Sequence, residues 1–332
     1  RRRQNMLYAG LDAHKDFCHA IVCAEDGEVV KEGKIRTCKE ELCDFFSDFQ
    51  EVRIAVEASI NHEYIFDSLE GKGRTVILAH PLKTRAIAES RVKTDKIDAR
   101  ILADLLRANL IPASYVPPRD IRELRHLVRR RIFLGRLRTK LKNRIHSELT
   151  RRGLRYEHGE LFTRKGKAWL LSLEIPALRS YLSTMGSMDS EIRNLEREIR
   201  VEGTKHKGIK HLVTIYGLGF YSAGVVFSEI GDVTRFRNEE KLFSHAGLIP
   251  SIRQSGEHTY RGRITKTGSR HLRWILVQAV RVHIRYDPDS KLTQFYRRLR
   301  RRKPDNVAVI ATARKLLQII YHMLKNDEDY RG

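Results

Sequence analysis

The amino-acid sequence predicts an α/β unit followed by a longer, mostly helical part. Residues 1–117 alternate short apolar runs with helix-patterned segments, the rhythm of a mixed sheet flanked by helices. From residue 119 onward helical periodicity dominates. The charge divides at the same place. The chain carries net charge +23, yet residues 1–117 hold 18 Lys and Arg against 19 Asp and Glu, while the remainder holds 46 against 22. The boundary falls at Pro117-Pro118, and we divide the chain into 1–117, a helical middle over 118–204, and a C-terminal part over 205–332.

In the first part, "MLYAGLD" and "FCHAIVCA" are short apolar strands, and "EVVKEGKIR" alternates after the turn at Asp26-Gly27. "KEELCDFFSDF" has helical spacing at Leu42, Phe45, Phe46 and Phe49. "VRIAVEA" reads as a buried strand, "HEYIFDSLEGKG" as a helix ended by glycine, and "RTVILAH" as another buried strand. "TDKIDARILADLLRAN" closes the unit as a helix with Ile97, Ile101, Leu105 and Ala108 on one face. Strands in hairpin order followed by αβαβα make the order of an RNase H-like fold.

That order brings acidic residues together. Asp12 ends the first strand, Glu57 the fourth, and Asp95 and Asp98 open the last helix within "RVKTDKIDAR", framed by Arg91, Lys93, Lys96 and Arg100. Adjacent like charges are costly unless a cation neutralises them, and hard divalent ions with oxygen ligands, Mg²⁺ above all, suit phosphate chemistry. Each carboxylate also has a plainer reading. Asp95 can cap the helix and Asp98 can favour its positive end. Asp12 can be a turn residue and Glu57 a charge at a strand end.

The middle part is basic, with 14 Lys and Arg against 3 Asp and Glu over 119–155. Leu127, Leu134 and Leu141 recur every seven residues, with Leu124, Leu137 and Ile145 broadening the stripe. This is either a helix packed on its own domain or a coiled-coil-like arm meeting another chain, with "MDSEIRNLEREIR" returning. The C-terminal part opens with helix, a turn at Gly217-x-Gly219, and helix. That is a helix-hairpin-helix-like element offering backbone N–H groups to phosphate, or a plain helical corner. A Gly-punctuated loop follows, carrying Arg253, Arg261, Arg263, Lys266, Arg270 and Arg273. "YRRLRRRKP" is a solvated basic run, and "NVAVIATARKLLQIIYHMLK" is apolar enough for a core helix.

Composition narrows the functional classes. A composition of 41% hydrophobic residues supports real cores. No eighteen consecutive residues are apolar, and "RRRQNMLYAGLD" lacks the apolar stretch of a signal peptide, so the expected setting is the cytoplasm, with no membrane partner. Cys18, Cys23, Cys38 and Cys43 contain no Cys-x-x-Cys, which favours reduced thiols over zinc. The basic two-thirds suits a polyanion.

The chain resembles the DEDD-type insertion-sequence transposases of the one-ten family, also called bridge recombinases. "GLDAHKD" (10–16), "VEAS" (56–59) and "KTDKIDAR" (93–100) are similar to the family's RuvC-like module. "YGLG" (216–219), "SEIGDVTRF" (228–236), "AGLIPSIRQSG" (246–256) and "ITKTGSRHLR" (264–273) are similar to its C-terminal transposase module. The resemblance implies that Asp12, Glu57, Asp95 and Asp98 bind a divalent metal. It implies that Ser255 is the nucleophile, forming a phosphoserine link to DNA, where the residues alone allow a plain Ser-Gly turn at 255–256. It further implies a structured guide (bridge) RNA that pairs with donor and target DNA. Dimers meeting in a tetramer are also implied, the RuvC-like module of one chain completing the transposase module of another. Ile60 stands where the family often has glycine, which bears on the backbone after Glu57. A junction-resolving nuclease that uses water, and an inactive nucleic-acid-binding protein, are the alternatives.

Overall fold

The computed structural model describes residues 6–88, 94–255 and 258–331, with the backbone alone described at 252, 253, 255, 258, 259 and 261. The chain divides into two compact units, Arg1–Val116 and Pro117–Gly332.

The first unit contains β1 (Leu7–Ala13), β2 (Phe17–Cys23), β3 (Val29–Arg36), α1 (Lys39–Phe45), β4 (Val52–Glu57), α2 (His62–Leu69), β5 (Arg74–Ala79), α3 (Pro81–Ile87), α4 (Asp95–Arg107) and β6 (Ala113–Ser114). The sheet order is β3-β2-β1-β4-β5-β6. β2 runs antiparallel to β1 and β3, β4 runs parallel to β1 and β5, and β6 is antiparallel to β5. This mixed arrangement fits an RNase H-like unit. The sequence reading did not include α3 and β6, and α1 stops four residues short of the expected Phe49.

Strand alternation sorts the side chains between two faces. Ala9, Leu11, Ile54 and Val56 face one way and pack with Leu42 of α1, Phe46 just after it, and Ile65 and Leu69 of α2. The opposite face carries Gly10, Ala55 and Ala79 against α4. A Cβ on Gly10 would stand 1.9 Å from the Ala99 carbonyl oxygen, so α4 lies directly on the β1 backbone. Asp12 is two residues beyond Gly10, and Glu57 two beyond Ala55, so both belong to the α4 face.

The second unit contains α5 (Arg119–Arg151), α6 (Arg164–Ser172), α7 (Pro176–Thr204), α8 (Lys207–Leu212), α9 (Phe220–Ile230), a 3₁₀ turn (Val233–Arg235), α10 (Glu239–Ala246), β7 (Pro250–Ser255), β8 (His258–Ile264), α11 (Arg270–Tyr286), α12 (Lys291–Arg300) and α13 (Asp305–Asn326). Its main core joins Leu124, Val128 and Ile132 of α5 and Ile199 of α7 to the helices that follow. Packing therefore continues across residue 204, where the sequence reading separates two parts. The spacing of Leu124, Val128 and Ile132 is one helical stripe. α5 and α7 run antiparallel, bound by Arg131–Glu196 at 2.6 Å and Arg138–Asp189 at 2.8 Å. Beyond the main core they form an arm that closes on a second small core of Ile145, Leu149, Leu161, Leu170, Leu178 and Met185. Phe133, between the two cores, is 59% exposed.

Residues 250–255 and 258–264 correct the expected loop. They form an antiparallel hairpin pairing Ile252 with Arg261, Arg253 with Tyr260 and Ser255 with His258. Interspersed arginines break the apolar alternation by which a strand is recognised, while Ile252, Thr259, Tyr260 and Ile264 favour extended backbone. α13 is long and apolar enough, by length and composition, to cross a membrane. Its apolarity has a local use: Val309, Ala313, Leu316, Leu317 and Ile320 are buried in the unit's own core. The four cysteines are free thiols, with Cys18 and Cys23 buried.

Candidate active site

The acidic centre is built on the α4 face of the sheet. α4 begins with Thr94 as its N-cap, whose hydroxyl oxygen accepts from the Ile97 N–H at 3.2 Å. This corrects the capping reading of Asp95: the capping position is already filled, and the Asp95 carboxylate turns to other partners. Asp98 does lie in the first helical turn, where a negative charge is favoured. Lys96 and Arg100 from the frame around the aspartates tie α4 to the sheet edge. Lys96 Nζ lies 2.8 Å from Glu32 Oε1, and Arg100 Nη2 donates to the Gly27 carbonyl at 2.9 Å. Arg91 and Lys93 lie outside the described residues.

At the centre, His14 Nε2 stands 3.2 Å from Asp12 Oδ2 and 3.2 Å from Asp95 Oδ1. One donor atom from each of Asp12, His14 and Asp95 lies within 4.8 Å of the others. Burial pushes the Asp12 carboxyl above its ordinary range. His14 pulls the other way, and the charges of Asp95, Asp98 and Glu57 raise it further. Asp98 and Glu57 are thus close enough for their charges to act on Asp12. A half-buried carboxylate loaded by three like charges is a donor set that suits a divalent cation.

His14 is absent from the sequence reading, though a signal was present. It lies two residues beyond Asp12 in the same extended direction, and residues so spaced share a face. Its backbone is held from two sides, because the His14 carbonyl accepts from Asn61 Nδ2 at 2.7 Å and from Thr37 Oγ1 at 3.0 Å. Asn61 belongs to the turn after Glu57, so one contact ties two arms of the centre. Ile60 in that turn is 96% exposed and is not among the residues with positive φ, so its side chain meets no backbone penalty there.

In the second unit, Ser255 is the last residue of β7, with Arg253 in the same strand and Arg261 and Arg263 in β8. Gly256 lies outside the described residues. Arg263, Lys266 and Arg270 are exposed and have no carboxylate partner among the described residues. Arg273 is engaged: it donates to the Ala246 carbonyl at 2.8 Å, and burial lowers its pKa.

The hairpin rises from a rigid base. The Thr265 N–H donates to the Ile249 carbonyl at 2.9 Å and the Ser269 N–H to the His245 carbonyl at 2.8 Å. Beneath the base lies Glu229, 3% exposed. Arg129 grips it with two bonds, Nε to Oε1 at 2.7 Å and Nη2 to Oε2 at 3.0 Å. Ser269 Oγ donates to Glu229 Oε2 at 2.8 Å while also capping α11 through the Leu272 N–H. Burial acts to raise the Glu229 pKa, but the bonds and charges from Arg129, with Ser269 and Arg125, outweigh it and hold the carboxyl below its usual range. Burial pushes the neighbouring His245 down, toward the neutral imidazole, and its Nε2 lies 3.1 Å from the Glu229 carbonyl oxygen. Glu229, within "SEIGDVTRF", is not among the sequence-predicted site residues. The clue was a carboxylate inside the apolar helix "FYSAGVVFSEI", which demands a buried partner.

Comparison with known proteins adds the family. Residues 9–152 match the model of DEDD-type IS110 transposases. Residues 209–297 match that of the transposase IS116/IS110/IS902 family. A "Probable family 20 transposase" of Pseudomonas aeruginosa is 28% identical, over 98% of this chain and 99% of its own length. The "Transposase for insertion sequence element IS1328" of Yersinia enterocolitica is 25% identical over 96% of each chain. The "Transposase for insertion sequence element IS1111A" of Coxiella burnetii is 23% identical over 100% of this chain and 93% of its own. Both family models fall on the segments that carry the acidic centre and the serine hairpin, and the chain belongs to the IS110/IS116 family of transposases.

Proposed function

We propose that this protein is an insertion-sequence transposase that cuts and rejoins DNA through a serine-linked intermediate, guided by a structured bridge RNA. The observation that carries the reading is the meeting of Asp12 and Asp95 around one point, with Asp98 and Glu57 acting on Asp12. Asp12, Glu57, Asp95 and Asp98 would hold Mg²⁺. When bound, the ion supplies positive charge that polarises a phosphate and stabilises a leaving oxygen.

Ser255 Oγ attacks the phosphorus of a DNA phosphodiester. An Oγ–P bond forms as the serine gives up its hydroxyl proton, the bond from phosphorus to the 3′ oxygen breaks, and a proton passes to that oxygen, which leaves as a 3′-hydroxyl. A serine hydroxyl needs an oriented setting for this. Its place at the end of a hairpin with an immobilised base supports the role. Arg253, Arg261, Arg263, Lys266 and Arg270 would hold the DNA backbone, while Arg273 supports the hairpin base. The excess of 46 basic over 22 acidic residues beyond position 117 supports a protein that grips RNA as well as two duplexes. Assembly into dimers and tetramers through other copies belongs to the same reading.

The products decide between this reading and a water-using nuclease. Cleavage of DNA with guide RNA and Mg²⁺ should leave a free 3′-hydroxyl and a 5′ end blocked by protein. A free 5′-phosphate from the outset would mean that water is the nucleophile. Nucleic-acid binding with neither product formed would mean an inactive binder.

A further inference from the structure

The geometry points to His14 as a nitrogen ligand of the metal ion, making the acidic centre more receptive to transition-metal ions such as Mn²⁺, relative to Mg²⁺, than its carboxylates alone would be. The inference rests on the metal reading above and adds to it a residue outside the four acidic positions. An octahedral ion with bonds of about 2.1 Å sets neighbouring donor atoms about 3.0 Å apart. His14 Nε2 lies 3.2 Å from an oxygen of Asp12 and 3.2 Å from one of Asp95. Both separations match the edge of such an octahedron. A hydrogen-bonded ion pair can also reach 3.2 Å, but here one ring nitrogen faces two carboxylates from distant segments. A single Nε2 proton also cannot align on two carboxylates at once.

The imidazole is placed in advance. The His14 N–H donates to the Phe17 carbonyl at 2.9 Å, and the His14 carbonyl takes the two bonds from Thr37 and Asn61. The ring stacks at a tilt on Phe17, with centroids 4.8 Å apart. With Nε2 as donor to the ion, the ring proton resides on Nδ1. Imidazole nitrogen binds ions such as Mn²⁺, Co²⁺ and Zn²⁺ better, relative to Mg²⁺, than carboxylate oxygen does. A site of carboxylates alone would lack that bias.

The test is Mn²⁺ binding to the full-length protein, with pulsed electron paramagnetic resonance reading the nuclei bonded to the ion. Wild-type protein should bind Mn²⁺ and show ¹⁴N coupling, which converts to a ¹⁵N pattern when histidine is ¹⁵N-labelled. His14→Asp, which exchanges nitrogen for oxygen, should still bind Mn²⁺ but lose the coupling, and its preference for Mn²⁺ over Mg²⁺ should fall about tenfold. Circular dichroism checks that the variant is folded; if it is not, His14→Ala takes its place. Bound Mn²⁺ without nitrogen coupling in the wild type overturns the role of His14 and leaves the carboxylate site standing. Coupling that survives His14 substitution overturns it too. A wild-type protein that retains no Mn²⁺, and behaves in this like Asp12→Asn, removes both the ligand and the metal site.

Discussion

Gly10 lies so close beneath Ala99 that a Cβ on the glycine would sit 1.9 Å from the Ala99 carbonyl oxygen and 2.6 Å from the Ala103 nitrogen. That contact seats α4 on β1 and sets the first turn of the helix beside Asp12. Gly10→Val should therefore cost about 1–3 kcal/mol in urea unfolding, the usual range for overpacking. It should also weaken divalent-ion binding, though no ligand is altered. Unchanged stability and ion affinity would show that α4 can shift without consequence.

Thr94 and Asp95 are neighbours with different work, and substitution should separate them. Thr94→Ala removes a helix cap and should cost about 1 kcal/mol of stability. Asp95→Asn leaves the cap in place and should barely alter stability, yet abolish DNA strand cleavage while nucleic-acid binding persists. Thermal melts and a cleavage assay on both variants check this. Recombination at wild-type rates by Asp95→Asn would return Asp95 to a purely structural part.

The fold of the first unit was legible because its cues are local. Strand runs such as "VRIAVEA" and the helix from Asp95 announce themselves by apolar spacing, and their order brings Asp12 and Asp95 together with Glu57 near enough for its charge to act on Asp12. The hairpin of β7 and β8 was not legible, because its arginines hide the strand alternation. Nor was the continuity across residue 204, since Ile199 joins Leu124 and Val128 only after the chain has travelled out along an arm and back. His14 and Glu229 escaped for a shared reason. The spacing from Asp12 and the carboxylate in an apolar helix mark the residues themselves, but their partners Asp95 and Arg129 are 81 and 100 residues away, and a linear pattern does not record such pairs.

Glu229 gives a pH prediction with a definite sign. Its pKa is lowered in the folded state, so its contribution to stability is complete above the unfolded carboxyl value, about 4.3. It is lost as pH falls through the lower folded value. Glu229→Gln should cost about 3 kcal/mol at neutral pH, toward the low end for a broken buried pair because Arg129 keeps some solvent. Its stability should also fall less steeply than the wild type's below about pH 4. Urea midpoints across pH 3–7 test this; parallel curves for the two proteins would remove Glu229 from the acid response.

Arg263 and Arg270 are exposed beside the serine hairpin and carry no carboxylate partner among the described residues. Each alanine substitution should weaken DNA binding across unrelated sequences and lower the salt slope by about 1, the signature of a lost phosphate contact. Binding isotherms over a range of salt concentrations provide the check. A change confined to one DNA sequence would mean base contact instead.

The most direct measurement concerns Ser255. Internally labelled DNA is incubated with the protein, guide RNA and Mg²⁺, stopped with detergent and resolved by gel. The wild type should give a slow-migrating, protease-sensitive protein–DNA band, and Ser255→Ala and Asp95→Asn should give none while still binding DNA. A band that persists in Ser255→Ala, or efficient wild-type cleavage with no band at any time, would contradict a serine-linked intermediate.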